Sequence, residues 1–178
     1  MVISQKLDQF YTQNNLDKNG GEDNDYFMMK FRFFSLKLPN SEFRKKVVYI
    51  HDIEHVLFDC DVSWKGEAYI AGWEIATGMW KHFPIGIMSL WAMGFGLFTH
   101  PKDVLNGYKK GLNYTGLIDR KIPKNEIMNL TLEEVNHLLL KNETQSFNSL
   151  TFGLWSLVSI IIMTFPLLLM VILGFVFL

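Results

Sequence analysis

The fold of this chain is decided by the stretch His51-Asp52-Ile53-Glu54-His55, which is followed after eleven residues by Glu67. Upstream, the tripeptide Pro-Asn-Ser at 39–41 is a helix start signal, and no Pro or Gly follows it until Gly66. The sequence therefore predicts a helix over about 41–57 that carries both histidines.

Three side chains of that helix, those of His51, Asp52 and His55, share one face, because successive residues are about 100° apart. Two imidazoles one turn apart, with a carboxylate beside them, can hold one ion without bending the backbone. Glu67 follows Gly66 at the start of the next predicted helix, and a tight helix-loop-helix return would bring it to the same ion. The sequence thus predicts a divalent metal site, with zinc as the expected ion, on His51, Asp52, His55 and Glu67.

The charge balance argues against a nucleic-acid partner. The chain has 17 basic and 18 acidic residues, and therefore no broad basic surface is expected. A single cysteine, Cys60, excludes an intramolecular disulfide and fits a reducing compartment. Cys60 lies between Asp59 and Asp61, whose negative charges disfavour a thiolate, so we expect an ordinary small residue rather than a metal ligand.

A long apolar tail predicts a membrane anchor. No charged residue occurs from position 145 onward, and about 20 apolar residues are enough to cross a bilayer. We expect a single transmembrane helix over 150–178, with Phe152 and Trp155 at the interface and a kink at Pro166. The alternatives are a buried core helix and a hairpin that turns at Pro166. Uncharged helices of this length are rare in soluble domains, however, and each hairpin arm would be too short to cross.

The chain is predicted to divide into three parts. Residues 1–25 are expected to form a flexible arm, because their second half is rich in Asn, Gly and acidic residues and cannot bury enough apolar surface to order itself. Residues 26–144 form the predicted helical metal- and lipid-binding domain, and residues 150–178 form the anchor. The first fifteen residues have no signal-peptide pattern, so we expect the helical domain on the cytoplasmic (or matrix) side of the membrane.

Further helices are predicted between these landmarks. One runs over 66–79, and Glu74 on it is a candidate alternative ligand or a neighbour of the metal. The apolar stretch 83–99 is interpreted as a core helix or, alternatively, as the wall of a cleft for a lipid tail. No segment alternates cleanly enough for a sheet, and 26–38 is left open as a helix, a strand or a flap. The predicted fold is all-α: a compact helical domain with a metal-binding helix-loop-helix and a C-terminal transmembrane helix.

The spacing His51-Asp52-x-x-His55-(x)11-Glu67 resembles the signature of the coenzyme Q biosynthesis protein 4 family. The similarity covers roughly 36–140 and includes the Gly66-Glu67 start of the next helix. The resemblance implies a helical, metal-binding, membrane-associated protein that handles lipids. It further implies a role in ubiquinone assembly, where the family is linked to removal of the C1 carboxyl of a polyprenylated ring with hydroxylation. Other quinone-biosynthesis proteins, or a second copy of the chain, are the partners that it implies.

Carried over from this resemblance, His51, His55 and Glu67 are metal ligands, and Asp52 is a fourth ligand or the catalytic base beside the metal. A metal with an open coordination position would polarise a carboxylate or phenol of a prenylated lipid substrate. Two features depart from the family pattern. The helical region before the motif is short, and the C-terminal span is not part of the usual family domain.

Two other functions fit the same residues. In a zinc peptidase, the pair His51 and His55 would lie on the zincin helix with Asp in the Glu position, and Glu74 would lie close to the third ligand position. Asp is one methylene shorter than the Glu that acts as general base, and Glu67 would have no role. In a non-catalytic, membrane-anchored, lipid-binding scaffold of a biosynthetic complex, a closed four-ligand metal would only stabilise the helix pair.

Overall fold

The computed structural model describes residues 1–30, 33–143 and 145–176, with side chains except at residue 30 and over 167–176. This part of the chain is mostly helical, as predicted, and contains eight α-helices and one two-stranded sheet. In chain order the elements are α1 (Ile3–Gln13), β1 (Tyr26–Lys30), β2 (Ser35–Pro39), α2 (Glu42–Leu57), α3 (Trp64–Thr77), α4 (Ile85–Thr99), α5 (Pro101–Gly111), α6 (Lys124–Ile127), α7 (Leu132–Leu139) and α8 (Ser149–Val176). The last two residues of the predicted anchor, 177 and 178, lie outside the described residues.

The chain divides into two compact units. The first unit comprises Met1–Asp59 and Ile122–His137, and the second unit comprises Cys60–Lys121 and Leu138–Leu178. The boundary falls between α2 and α3, so the predicted domain over 26–144 is distributed over both units. The helix that carries the two histidines therefore belongs to the first unit, and the helix that carries Glu67 belongs to the second.

The N-terminal helix α1 is part of the core of the first unit. Its side chains Ile3, Leu7, Phe10 and Tyr11 recur at helical spacing, and all four are buried. The sequence predicts a flexible arm over 1–25, and the structure differs from that prediction. The weak amphipathic pattern at the start of the chain is enough to bury one face of a helix.

The chain from 14 to 25 is ordered by polar contacts rather than by apolar burial. The side-chain amide of Asn40, itself buried, donates hydrogen bonds to the carbonyl oxygens of Gly21 (2.9 Å) and Asn24 (2.8 Å). Lys124 forms an ion pair with Glu22. These partners come from 16 to 102 residues away along the chain. The composition of the segment therefore could not indicate them.

Strands β1 and β2 form an antiparallel hairpin in which Tyr26 pairs with Pro39 and Lys30 pairs with Ser35. The segment that the sequence leaves open as helix, strand or flap is thus a pair of strands, which is the departure from an all-α fold. The guanidinium of Arg44 on α2 lies 4.2 Å from the centre of the Phe27 ring and connects the hairpin to the next helix.

Helix α2 begins directly after Ser41, the last residue of the predicted helix start signal. The Ser41 hydroxyl accepts a hydrogen bond from the backbone N–H of Arg44 (3.2 Å). This contact satisfies one of the N–H groups that the start of a helix leaves without a backbone partner. Helix α2 ends at Leu57. The prediction of a helix over 41–57 is therefore confirmed.

The second unit is built around α3, α4 and α5. Their buried faces contribute to one apolar cluster, which contains Ala68, Ala71, Ile75, Leu90, Met93, Val104 and Tyr108. Helices α3 and α5 approach closely: a Cβ at Gly107 would lie 1.9 Å from the backbone oxygen of Tyr69, and one at Gly72 would lie 2.2 Å from that of Val104. Only glycine fits at these two positions, because the obstructing atoms belong to the backbone and cannot turn away as a flexible side chain does.

Helix α8 packs against α4 over its first turns. The two helices meet where a Cβ at Gly94 would lie 2.5 Å from the backbone oxygen of Ser159. The segment Ser149–Pro166 of α8 is long and apolar enough to cross a membrane, and only 6% of it is buried. A helix of the length and composition that the sequence predicts for the anchor is thus present.

We predict that Gly107→Ala destabilises the protein by about 3 kcal/mol, because the new methyl group collides with the backbone of α3. The measurement is urea unfolding of the detergent-solubilised protein, followed by circular dichroism. The matched control is Gly153→Ala on α8, where a Cβ would meet nothing within 4 Å. That variant should be as stable as the natural chain or up to about 1 kcal/mol more stable, since Ala favours helix over Gly. Equal stability of the two variants would contradict the close packing of α3 and α5.

Candidate metal centre

The two histidines of α2 bring their ring nitrogens together. His51 and His55 are one helical turn apart, and their Nε2 atoms are separated by 3.1 Å. The ring planes meet at 75°, with the ring centroids 4.7 Å apart. His55 is buried, and its ring centroid lies 5.6 Å from that of Phe10 on α1. Helix α1 therefore restricts the orientation of the second imidazole.

This spacing fits two ligands of one metal ion. Zinc–nitrogen bonds of about 2.0–2.1 Å at tetrahedral angles place two ligand nitrogens about 3.3 Å apart, close to the 3.1 Å between His51 and His55. The same distance also suits a hydrogen bond between two neutral imidazoles, one donating and the other accepting. The pair can therefore accept a divalent ion with little movement of either side chain, and its role as a ligand pair stays a prediction.

Asp52, the third predicted site residue on α2, is held by a tyrosine of α1. Its carboxylate is buried, and its Oδ2 atom accepts a hydrogen bond of 2.9 Å from the Tyr11 hydroxyl. Burial raises the pKa of Asp52, although His51 and the hydrogen bond from Tyr11 act in the opposite direction. Burial and the charge of Asp52 raise the pKa of Tyr11 as well. Tyr11 and Asp52 therefore form a buried, hydrogen-bonded pair next to the histidines.

A glycine turn closes over this carboxylate. Gly20 and Gly21 both have positive φ angles, 63° and 71°. A Cβ at Gly20 would lie 2.3 Å from Oδ2 of Asp52, so a side chain at this position would have to displace the carboxylate, and the positive φ favours glycine as well. Sequence analysis finds neither Gly20 nor Tyr11, because Gly-Gly is an ordinary linker signal and the hydrogen bond of Tyr11 joins residues 41 positions apart.

Glu54 is an acidic residue of α2 that sequence analysis does not single out. It is fully buried, and it offers a ligand oxygen within 4.8 Å of a ligand nitrogen of His51. Residues three apart on a helix are neighbours on one face, so the interval between His51 and Glu54 in the sequence could have identified Glu54. Within the first unit, Glu54 is therefore a further candidate ligand beside the histidine pair.

Glu67 and Glu74 lie on α3, in the second unit. The helix is capped by the hydroxyl of Ser63, which accepts a hydrogen bond from the Gly66 N–H, and a Cβ at Gly66 would lie 1.9 Å from a backbone oxygen five residues earlier. The cap and this close approach fix the start of α3. Glu67 therefore falls in the first turn, as predicted, and Glu74 is buried two turns later. Because the histidines and Glu67 belong to different units, the predicted ligand set of His51, Asp52, His55 and Glu67 stays a prediction.

We predict that Tyr11→Phe destabilises the metal-free protein by about 1–3 kcal/mol at neutral pH, because it removes the donor to a buried carboxylate. The hydrogen bond favours the ionised form of Asp52, so its loss raises the pKa of Asp52 further. The stability difference between the natural chain and the variant should therefore be largest above the pKa of Asp52 and should shrink as the pH falls through it.

Urea unfolding in the presence of a chelator, repeated over a pH series, measures this difference. The matched control is Tyr26→Phe in β1, since Tyr26 is exposed. A stability difference for Tyr11→Phe that stays constant with pH would show that Tyr11 acts through packing alone.

Comparison with known proteins adds no relative. The resemblance to the coenzyme Q biosynthesis protein 4 family therefore rests on the spacing of His51, Asp52, His55 and Glu67 in the sequence. The chain matches no protein-family model, no curated protein and no solved structure.

Proposed function

We propose that this protein is a membrane-attached metalloprotein that modifies the ring of a prenylated quinone precursor. The observation that carries the proposal is the distance of 3.1 Å between the Nε2 atoms of His51 and His55. Two imidazoles at this distance supply half of a tetrahedral zinc site. We propose that a carboxylate of α3 completes the site, with Glu67 as the first candidate, as in the predicted ligand set, and Glu74 as the second.

Two local features favour Glu67 as the third ligand. Six residues separate the end of α2 at Leu57 from the start of α3 at Trp64, so the chain between the helices is a short turn. Glu67 follows that turn directly, in the first turn of α3. The helix dipole also favours a negatively charged side chain in the first turn of a helix.

Asp52 is proposed as the residue that moves a proton. Its Oδ2 atom already accepts a hydrogen bond from Tyr11, and its burial raises its pKa. A raised pKa lets a carboxyl group take up a proton more readily and release it to a carbon or oxygen that gains negative charge. In the proposed reaction, Asp52 protonates the ring position from which the carboxyl group departs, and Tyr11 fixes the orientation of Asp52.

The bound metal would supply Lewis acidity, which polarises a carboxylate or phenol oxygen of the ring. His51 and His55 would hold it through Nε2, and zinc is the expected ion. The proposed step is removal of the C1 carboxyl group as carbon dioxide, with the proton from Asp52 taking its place on the ring carbon. The hydroxylation at C1 that the family resemblance also implies would be a separate oxidation, for which molecular oxygen or another two-electron oxidant would have to be supplied. The support for a ring with a prenyl tail is the combination of that resemblance with an apolar helix suited to a membrane.

The proposed location is a membrane, to which α8 attaches the protein. The segment Ser149–Pro166 has the length and hydropathy of a membrane helix. We propose that both units lie on the cytoplasmic (or matrix) side, where reduced Cys60 is stable. Other quinone-biosynthesis proteins and a second copy of this chain are the protein partners proposed with it.

We predict that the purified protein holds one divalent metal ion per chain and that His55→Ala loses it, because one imidazole cannot replace the pair. The measurement is elemental analysis of protein purified without added metal or chelator. The matched control is His82→Ala in the second unit, whose Nε2 atom is paired with Asp119 at 2.8 Å; its metal content should not change. Metal-free natural protein would contradict the proposal.

The carboxylate ligand is identified by comparing Glu67→Gln with Glu74→Gln, because Gln keeps the size of the side chain while weakening the ligand. We expect Glu67→Gln to lower the metal content and Glu74→Gln to leave it nearly unchanged. The reverse result would exclude Glu67 and favour the arrangement of a zinc peptidase.

Deletion of the gene, followed by lipid analysis of the cells, tests the proposed reaction. We expect a prenylated aromatic acid to accumulate and the quinone to decrease. Complementation with Asp52→Asn should restore the metalloprotein but not the quinone, because Asn cannot carry the proton. Full rescue by this variant would favour a scaffold, and an unchanged lipid profile after deletion would exclude the quinone assignment.

A further inference from the structure

The second unit has an apolar surface that the metal site does not explain. Helix α4 contains no charged residue, and its exposed side chains Ile87, Met88 and Phe98 lie along one flank, with Phe98 65% exposed. Helix α8 has its own exposed row, which comprises Leu150, Leu154, Leu157, Val158, Ile161 and Phe165. Large apolar side chains that are exposed in continuous rows mark a contact surface rather than ordinary solvent exposure.

The two rows belong to one surface because α4 and α8 pack side by side. Gly94 of α4 meets Ser159 of α8, and at about 100° per residue the exposed flank of α4 lies next to the side that carries Gly94. The row on α8 is on the side opposite to Ser159. The flank of α4 and the outer face of α8 can therefore contact the same medium.

Helix α4 cannot cross a bilayer. Its 15 residues span about 22 Å, against about 30 Å for the hydrocarbon core. An exposed lysine lies close to each end of α4. Lys81 comes before the start of the helix, and Lys102 comes after its end, directly after Pro101. Both ends of α4 must therefore stay near the polar surface of a membrane, since a charge in the hydrocarbon core is costly.

Helix α8 follows α4 in the same direction. The ring of Trp155 lies 4.8 Å from that of Trp80, which precedes α4, and Ser159 lies beside Gly94 nearer the end of α4. If α8 crossed the bilayer upright from its first residue, the end of α4 and Lys102 would be carried about 20 Å into the hydrocarbon core. An upright crossing over 149–165 is therefore incompatible with the charges of the same unit.

We propose that α4 and the segment 149–165 of α8 lie flat in one leaflet, with their shared apolar surface toward the acyl chains. The occupant of this surface is thus a lipid bilayer. In this orientation the charges at both ends of α4 stay at the headgroup level, and the two exposed rows are covered along their whole length. Residues 149–165 of α8 then lie along the membrane surface and do not cross the bilayer.

Two hydroxyl groups of α8, those of Ser156 and Thr164, agree with a lipid environment. The Ser156 hydroxyl donates to the carbonyl oxygen of Phe152, and the Thr164 hydroxyl donates to that of Ile160, each at 2.8 Å. These hydroxyls therefore need no water. Pro166 lies inside α8, where it removes one backbone hydrogen bond and allows a change of direction.

Depth measurements with spin labels test this orientation. Single cysteines are introduced at exposed positions of the full chain in a Cys60→Ser background: Leu150→Cys, Leu157→Cys and Phe165→Cys on α8, and Ile87→Cys and Phe98→Cys on α4. The labelled proteins are reconstituted into vesicles of phosphatidylcholine and phosphatidylglycerol. The accessibility of each label to oxygen and to a nickel chelate gives its depth, and Lys102→Cys is the control for the headgroup level.

We expect all five labels at similar depths, about 5–10 Å below the headgroups, with Lys102→Cys above them. A depth that increases steadily from Leu150→Cys to Phe165→Cys, by about 22 Å in total, would show an upright crossing and overturn the proposal. Labels on α4 exposed to the nickel chelate would overturn it as well. Strong spin–spin coupling between copies at Ile87→Cys would show that a second chain covers this surface, which also contradicts it.

This inference rests on the membrane attachment in the proposed function, and the experiment separates the two. Metal content is measured on the same vesicles. Failure of the protein to associate with vesicles would remove both the attachment and the flat orientation, while retained metal would leave the metal centre in place. A graded depth profile would remove the flat orientation alone.

Discussion

The helical repeat of α2 is the constraint on which the candidate site depends. Residues four apart on an α-helix face the same way, so His51 and His55 are brought to 3.1 Å between their Nε2 atoms without help from a loop. The cap at Ser41 and the continuous backbone to Leu57 fix the register of that face. Every further feature of the site is arranged around this pair.

The residues around the pair are supplied by distant parts of the first unit. A buried carboxylate is costly unless it is paired or hydrogen-bonded, and Asp52 has the Tyr11 hydroxyl as a donor. Helix α1 carries both Tyr11 and Phe10, and the ring of Phe10 lies at a tilt to that of His55, with the centroids 5.6 Å apart. The turn at Gly20 then covers the carboxylate with backbone only. Phe10, Tyr11 and Gly20 therefore place the N-terminal segment against the candidate site.

In the second unit, the helices pack through close approach of their backbones, whereas the first unit uses hydrogen-bonded polar side chains around Asp52. Gly72 and Gly107 let α3 and α5 touch, and Gly94 lets α4 touch α8. Because these contacts use the inner faces of the helices, the large apolar side chains of α4 and α8 remain on the outside. A unit packed in this way has an apolar outer surface that water does not favour, and this surface is the physical basis of the proposal that the unit lies in a membrane.

Local pattern alone determined several features of this protein. The start signal at 39–41 and the 3.6-residue repeat predicted α2 and its histidine pair, and the uncharged tail predicted the apolar helix α8. These features could be predicted because each depends on residues within a few turns of one another. Only the tertiary structure decided that one face of α1 is buried, that the Tyr11 hydroxyl donates to Asp52, that the Gly20 turn lies against that carboxylate and that Tyr26–Lys30 pairs with Ser35–Pro39. Those features depend on contacts between residues far apart in the chain, and a local sequence pattern carries no information about such contacts.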